Sequence, residues 1–283
     1  MSASTPAAHV TPSRTLTFIL ALLLLSTTLY AQEPRQKAAE GAFSVVANGR
    51  EGEFRRHFDQ WVLWKTAVGY ELETTMYLLG RPQASPAKQI LYLSHQFHTE
   101  GFKIFPVPWD PPLVGSYDCH LQPLTDGQRL HCDYSIHNKQ GGGNISLPAP
   151  YMFEISVDSV NEHPEFDLPF SFASMVLSAP RDPQQSRTIP LVYLKVWDAD
   201  DGDPNHVTVV ADRTENKKVR FVGRQRITVL GKHIDALKFE LDDTHAVWTS
   251  ENGMPLAVEQ LHHSNRWELT RLLQYERIVP GLD

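Results

Sequence analysis

Residues 117–134 read YDCHLQPLTDGQRLHCDY, a segment nearly symmetric about its centre. Two strand-like runs flank Pro123-Leu124-Thr125-Asp126-Gly127-Gln128, a cluster of turn residues, as a β-hairpin requires. Folding the segment about the midpoint between Thr125 and Asp126 sets Cys119 opposite Cys132 and His120 opposite His131. Directly opposed residues in a non-hydrogen-bonded antiparallel pair come within disulfide reach. Neighbouring strand residues point to opposite faces, so the two imidazoles fall on the face away from the sulfurs. The hairpin therefore predicts antiparallel sheet, with Cys119 and Cys132, the chain's two cysteines, joined as one disulfide.

On either side of the hairpin, strand signals dominate from residue 67 onward. Residues 69–79 and 89–98 are β-prone runs separated by the breakers of 80–86, and a Pro-rich stretch at 105–112 precedes the hairpin. Gly141-Gly142-Gly143 reads as a flexible turn. Pro164, Pro169, Pro180, Pro183 and Pro190 punctuate the next region, in which residues 170–177 could form a short helix. Strand candidates then recur at 191–198, 206–211, 218–222, 226–230, 236–241, 246–250, 256–261 and 267–276. In the 236–241 run Leu237, Phe239 and Leu241 alternate with Ala236, Lys238 and Glu240, the mark of a sheet with one wet face. In the last run Trp267, Leu269, Leu273 and Tyr275 hold the odd positions. Against this trend, Phe54, Phe58, Trp61 and Val62 stand at i, i+4, i+7 and i+8, which predicts an amphipathic helix over 53–64.

The amino-terminal residues 15–30 read TLTFILALLLLSTTLY, follow Arg14 and precede Ala31. One positive charge, a leucine-dense run and a short polar exit predict a secretory signal peptide cleaved after Ala31. The run is shorter than the roughly 20 apolar residues a bilayer-spanning helix needs. No later stretch is long and apolar enough either, so no transmembrane span is expected. Removing residues 1–31 leaves 252 residues with 25 basic against 33 acidic side chains, a net charge of −8. A negative balance argues against nucleic acid, whose binding rests on neutralising phosphates. It argues equally against a polybasic membrane-surface protein.

The expected organisation is a signal peptide (1–31), a flexible lead-in (32–52) and an amino-terminal β lobe with the cystine hairpin (53–150). A Pro-rich connection (151–190) and a carboxy-terminal antiparallel β lobe (191–279) follow. The expected fold class is mainly β: an antiparallel curved sheet or half-barrel, in one piece or as two lobes, with the single short helix near 53–64.

Two segments carry a resemblance. Residues 222–239 (VGRQRITVLGKHIDALKF) and 246–259 (AVWTSENGMPLAVE) are similar to a pattern in bacterial envelope proteins of undetermined role. In that pattern a strand ends in a glycine turn, and a Trp-bearing strand, an Asn-Gly turn, a Pro and a strand ending in Glu come after it. The resemblance implies a half-barrel sheet wrapped around a helix or an apolar cleft, as in the periplasmic lipoprotein-carrier superfamily. It implies a shape and a compartment, periplasm or extracellular, and it transfers no catalytic residue. On the residues themselves, Asn252-Gly253 predicts a tight hairpin, with Trp248 and Leu256 filling the concave face.

His120 and His131 read either as surface histidines or as a metal pair completed by Asp118, Asp133 or His137. Asp198-Ala199-Asp200-Asp201-Gly202-Asp203 crowds carboxylates like a calcium loop, but its Gly stands at position 5 and strands flank it, so a solvated hairpin turn is expected. His95 and His98 sit in a predicted strand on opposite faces, and His262-His263 in a turn. Ser174 has no recognisable base, no Gly-x-Ser-x-Gly elbow occurs, and no cofactor motif is present. With six Trp and thirteen Phe, aromatic side chains either fill the core or line a cleft for an acyl chain. Trp109, Trp197, Trp248 and Trp267 are the candidates for the second role. Three functions remain open: an exported, non-enzymatic envelope protein holding a lipid-like ligand or an envelope protein partner; a secreted hydrolase with a His or carboxylate site; and a structural module with no small ligand.

Overall fold

The computed structural model describes residues 35–49, 52–76, 87–105, 115–124, 127–147, 152–155, 169–261 and 265–282. The expected signal peptide, Trp109 and His262-His263 lie outside them. The chain divides into two units, Met1–Arg35 and Gln36–Asp283, and the architecture below is that of the second. Its elements in order are β1 (Gln36–Gly49), β2 (Gly52–Lys65), β3 (Tyr70–Met76), β4 (Ala87–Leu93), β5 (Thr99–Ile104), β6 (Ser116–Leu124), β7 (Gly127–Ile136), β8 (Lys139–Leu147) and β9 (Met152–Ile155). Then come helix α1 (Pro169–Val176), β10 (Ser186–Asp198), β11 (His206–Val229), β12 (Lys232–Leu241), β13 (His245–Thr249), β14 (Pro255–Gln260) and β15 (Asn265–Gln274).

All fifteen strands belong to one sheet, ordered β12-β13-β14-β15-β1-β2-β3-β4-β5-β6-β7-β8-β11-β10-β9. It is antiparallel except where β8 meets β11 and β9 meets β10. The sheet curves until its ends meet. β11 does the closing, because one of its edges carries β8 at the start, from His206↔Gln140 to Thr208↔Gly142, and β12 at the end, from Val219↔Leu241 to Val229↔Lys232. β10 occupies the other edge of β11, with β9 beyond it. Thirteen of the described strands thus form a ring, and β10 and β9 continue the sheet along the other edge of β11.

The expected mainly β, curved antiparallel sheet is present, and several expectations within it need correction. Residues 53–64 lie in strand β2. The pairing of β2 with β1 shifts between Val45 and Val46, which inserts one residue into β2 and turns a spacing of two into an odd interval. An extended strand interrupted this way mimics the i, i+7 interval of a helix. Most of the lead-in 32–52 is strand β1. The two expected lobes contribute to the one sheet, and 206–211, 218–222 and 226–230 merge into β11. Gly141-Gly142-Gly143 is no turn but the middle of β8. A Cβ at Gly141 would stand 1.8 Å from the Val207 carbonyl oxygen, and one at Gly143 would stand 2.0 Å from that of Val209. Bare glycines let β11 approach closely enough to seal the ring.

Two rows of directly paired residues run across β1 to β8. The first is Ala39–Leu63–Leu72–Leu91–Phe102–Cys119–Cys132–Gly143. The second is Gly41–Trp61–Thr74–Gln89–Ile104–Tyr117–Tyr134–Gly141. Paired positions two residues apart share a face, and almost all of these side chains are buried. The opposite face runs through Glu73, Ile90, Lys103, Asp118 and Asp133 and is wet. The register sets Cys119 opposite Cys132 with Cα atoms 4.1 Å apart and the sulfurs at bonding distance, as the hairpin symmetry predicts. In β15 the alternation holds for buried Trp267 and Leu269 and then fails, leaving Leu273 49% and Tyr275 57% exposed. The cause is the register shift against β1 between Ala42 and Phe43, which leaves Thr270 as an extra residue and inverts the faces beyond it.

Candidate functional site: the inner face and the helix covering it

Helix α1 is Pro-Phe-Ser-Phe-Ala-Ser-Met-Val. Pro169 opens it where a missing N–H costs nothing. A segment this apolar is stable as a helix only if buried, and Phe170, Phe172, Ala173, Met175 and Val176 all are. The C-terminal turn is fastened by the Leu177 N–H to the Ala173 carbonyl, 3.1 Å, and by the Ser178 hydroxyl to the Met175 carbonyl, 2.7 Å.

α1 packs on the inner face of the ring. Phe172, Met175 and Val176 form one buried cluster with Phe239, Val247, Val258 and Trp267, the last four being matched positions on β12 to β15. At the other end Phe170 sets its edge on Trp61, with ring centroids 5.3 Å apart at 75°, and on Phe43, 6.1 Å at 87°. One polar contact ties the helix to the far wall: the Thr99 backbone N–H donates to the Ser174 hydroxyl at 2.7 Å. The concave side is thus an apolar surface plugged by an eight-residue helix.

Of the tryptophan candidates, the three that are described, Trp197, Trp248 and Trp267, are not brought together. Trp267 faces α1 in the cluster above. Trp248 is buried and alternates with its neighbour Val247 along β13; with Leu256 it joins the larger buried cluster that holds Trp61, Leu63 and Phe170. Its ring lies 5.3 Å from both the Lys238 ammonium and the Arg266 guanidinium, and its indole N–H donates to Gln225 at 3.0 Å. Leu256 is buried, and the Asn252-Gly253 turn forms as expected, with Gly253 at φ +94°. Trp197 is 52% exposed on β10 beneath the Lys195 ammonium at 4.4 Å.

The two hairpin histidines lie on the wet face, opposite each other in register, and each engages a different neighbour. His120 Nε2 meets Asp118 at 2.8 Å while its ring lies 4.5 Å from that of Tyr92. His131 Nδ1 meets the Asn144 side-chain oxygen at 3.0 Å. Asp118 also accepts from Lys103 at 2.6 Å. Among the described residues no group of three or more His, Cys, Asp or Glu side chains is arranged to hold a metal ion. Lys103, Asp118 and Asp133, but neither hairpin histidine, border a hollow of about 490 Å³ with Tyr134 and His206, and burial pushes the Tyr134 phenol above its ordinary range.

The acidic segment is a hairpin turn between β10 and β11. Two of its carboxylates brace the turn: Asp201 pairs with His206 and accepts from the Asp203 N–H at 3.0 Å, and Asp203 accepts from the Asn205 N–H at 2.8 Å, whereas Asp198 pairs with Lys139. His206, then the Asp203 N–H, hold the Asp201 carboxyl below the usual carboxylate range. His95 and His98 fall in the turn from Ser94 to His98 rather than in β4, and the His95 ring stands edge-on to Tyr70 at 5.9 Å.

Sequence reasoning missed Phe43, Trp61 and Phe170 as the aromatic wedge of the interior. Trp61 carried a signal, but the helical spacing of 53–64 misassigned it. No helix among the described residues is long and apolar enough to cross a membrane. No protein-family model matches the chain, and no curated protein matches it.

Proposed function

We propose that this chain is an exported, non-enzymatic envelope protein that holds an apolar, lipid-like ligand on the inner face of its ring, in the manner implied by its likeness to periplasmic lipoprotein carriers. One observation carries the reading. An apolar inner row, Leu63, Leu72, Leu91 and Phe102, lies beside Trp61, the ring on which a helix of only eight residues rests its first Phe. A plug this short is anchored by a few rings and one hydrogen bond to the far wall. Displacing it exposes a surface that an acyl chain covers equally well, at roughly 0.8 kcal/mol per buried methylene.

The test is organic extraction of the purified protein with mass analysis of the extract, together with titration of the extracted protein with 1-octadecene delivered from cyclodextrin. An acyl compound that co-purifies at near-stoichiometric level, and rebinding after its removal, support the reading. Protein that is consistently empty and gives no heat with the probe overturns it. A protein partner is the second reading, and it rests on β9, the outermost strand of the sheet among the described residues, since an edge strand is a template for β-augmentation.

A further inference from the structure

The second inner row contains a polar break. Trp61, Thr74 and Gln89 are directly paired across β2, β3 and β4, and their exposures are 1%, 5% and 7%. Among the described residues the Trp61 indole N–H, the Thr74 hydroxyl and the Gln89 side-chain oxygen meet no hydrogen-bond partner. Three such groups side by side are rare, because each buried polar group left unpaired costs about 1–3 kcal/mol. The row is also shaped deliberately. Its first member is Gly41, where a Cβ would stand 2.2 Å from the Trp61 ring, so glycine makes the slot for the indole. The face that closes over Trp61 is the Phe170 ring of α1.

We infer that Trp61, Thr74 and Gln89 form the head-group site of the interior, built for an uncharged acyl lipid that offers both a hydrogen-bond acceptor and a donor. The inference rests on the carrier reading above and adds the chemistry of its ligand. An indole N–H only donates, so the ligand must accept there. The Gln89 oxygen only accepts, so the ligand must donate there. Thr74, between them, does either. Neighbouring strands are about 4.8 Å apart, so the row spans roughly 10 Å, the length of a hydroxylated ester head. A carboxylate fits badly: it has no donor, and the row from Gly41 to Gly141 contains no cationic side chain to pair with it. A monoacylglycerol or a primary acyl amide has the matching pair of groups. Phe170 stands where such a head would lie, so the helix and the ligand alternate.

The experiment titrates the delipidated full chain at pH 8.5 with 1-monooleoylglycerol, oleate and 1-octadecene, each delivered from cyclodextrin. The wild type is expected to bind the monoacylglycerol about tenfold more tightly than either oleate or the hydrocarbon. In the double variant Thr74→Val, Gln89→Leu, which removes polarity at nearly constant shape, that preference falls about 5- to 10-fold. Octadecene affinity stays unchanged, and the Tm of the ligand-free protein rises. Oleate binding as tightly as the monoacylglycerol overturns the inference, and this comparison needs no variant. So does an unchanged preference in the double variant, or a fall in its Tm, which marks a row satisfied by internal water. Octadecene binding without any gain from the glycerol head overturns the head-group site alone, whereas no binding of any probe overturns the carrier reading with it.

Discussion

Replacing Gly141 by alanine tests how the ring is sealed. The new methyl would lie 1.8 Å from the Val207 carbonyl oxygen and 2.8 Å from its carbonyl carbon. Both are backbone atoms of a strand held on its far side by β10, so neither yields cheaply. The parallel ladder His206↔Gln140, Val207↔Gly141, Thr208↔Gly142 must part. Losing about three backbone hydrogen bonds at a net of about 1 kcal/mol each costs about 3 kcal/mol. Val207 and Val209, each 1% exposed, are then partly wetted, which adds about 1 kcal/mol. For a chain of this size a loss of about 4 kcal/mol lowers Tm by about 10 °C. Ser146→Ala, at an exposed position of the same strand, is the control and stays within about 0.5 kcal/mol of wild type. Thermal unfolding by circular dichroism reads the difference, and hydrogen exchange locates it, with protection lost first at the amides of 207–209. A Gly141→Ala protein melting within about 2 °C of wild type, less than 1 kcal/mol on this scale, refutes the closure argument.

Other expectations follow from single features. Cys119→Ala with Cys132→Ala removes a link closing a loop with a sequence separation of 13, and costs about 3 kcal/mol by urea unfolding under non-reducing conditions; the wild type with reductant should match it. Phe170→Ala leaves a hole between Trp61 and Phe43 and lowers stability by about 3 kcal/mol, with loss of near-ultraviolet dichroism from the Trp61 environment. The Asp201 carboxyl titrates lower in the fold than in the open chain, so its contribution to the β10–β11 turn is present above about pH 4 and lost as pH falls through the lowered value. Carboxyl-carbon NMR of Asp201 in the His206→Ala variant should show its titration moving back up, and an unmoved midpoint contradicts the assigned cause.

Much of the fold was legible because its carriers are local. The symmetry of 117–134 sets the cystine register without reference to anything distant, and the Asn252-Gly253 turn announces its hairpin. Alternation in 236–241 separates Leu237, Phe239 and Leu241, which meet the cluster around α1, from Lys238 and Glu240. Closure of the ring was not legible. It depends on glycines whose purpose is contact with a strand more than sixty residues later, and on its own a Gly-Gly-Gly run says only that the chain is bare. Register shifts hid the rest: one made β2 look helical, and another moved Leu273 and Tyr275 to the surface. The polar row was invisible for a similar reason. Trp61, Thr74 and Gln89 belong to three strands, and only their register makes them neighbours.

The pairing of β1 with β15, from Ala39↔Gln274 to Ala47↔Asn265, sets an assembly order. A nascent chain can zip β1 to β2 as soon as both exist, yet the other side of β1 waits for almost the whole polypeptide. Until then the molecule carries raw edges that recruit any extended segment nearby, and the long sequence separation makes the final join slow. Damage near the carboxyl end would therefore show itself less as unfolding than as polymerisation through the abandoned first strand.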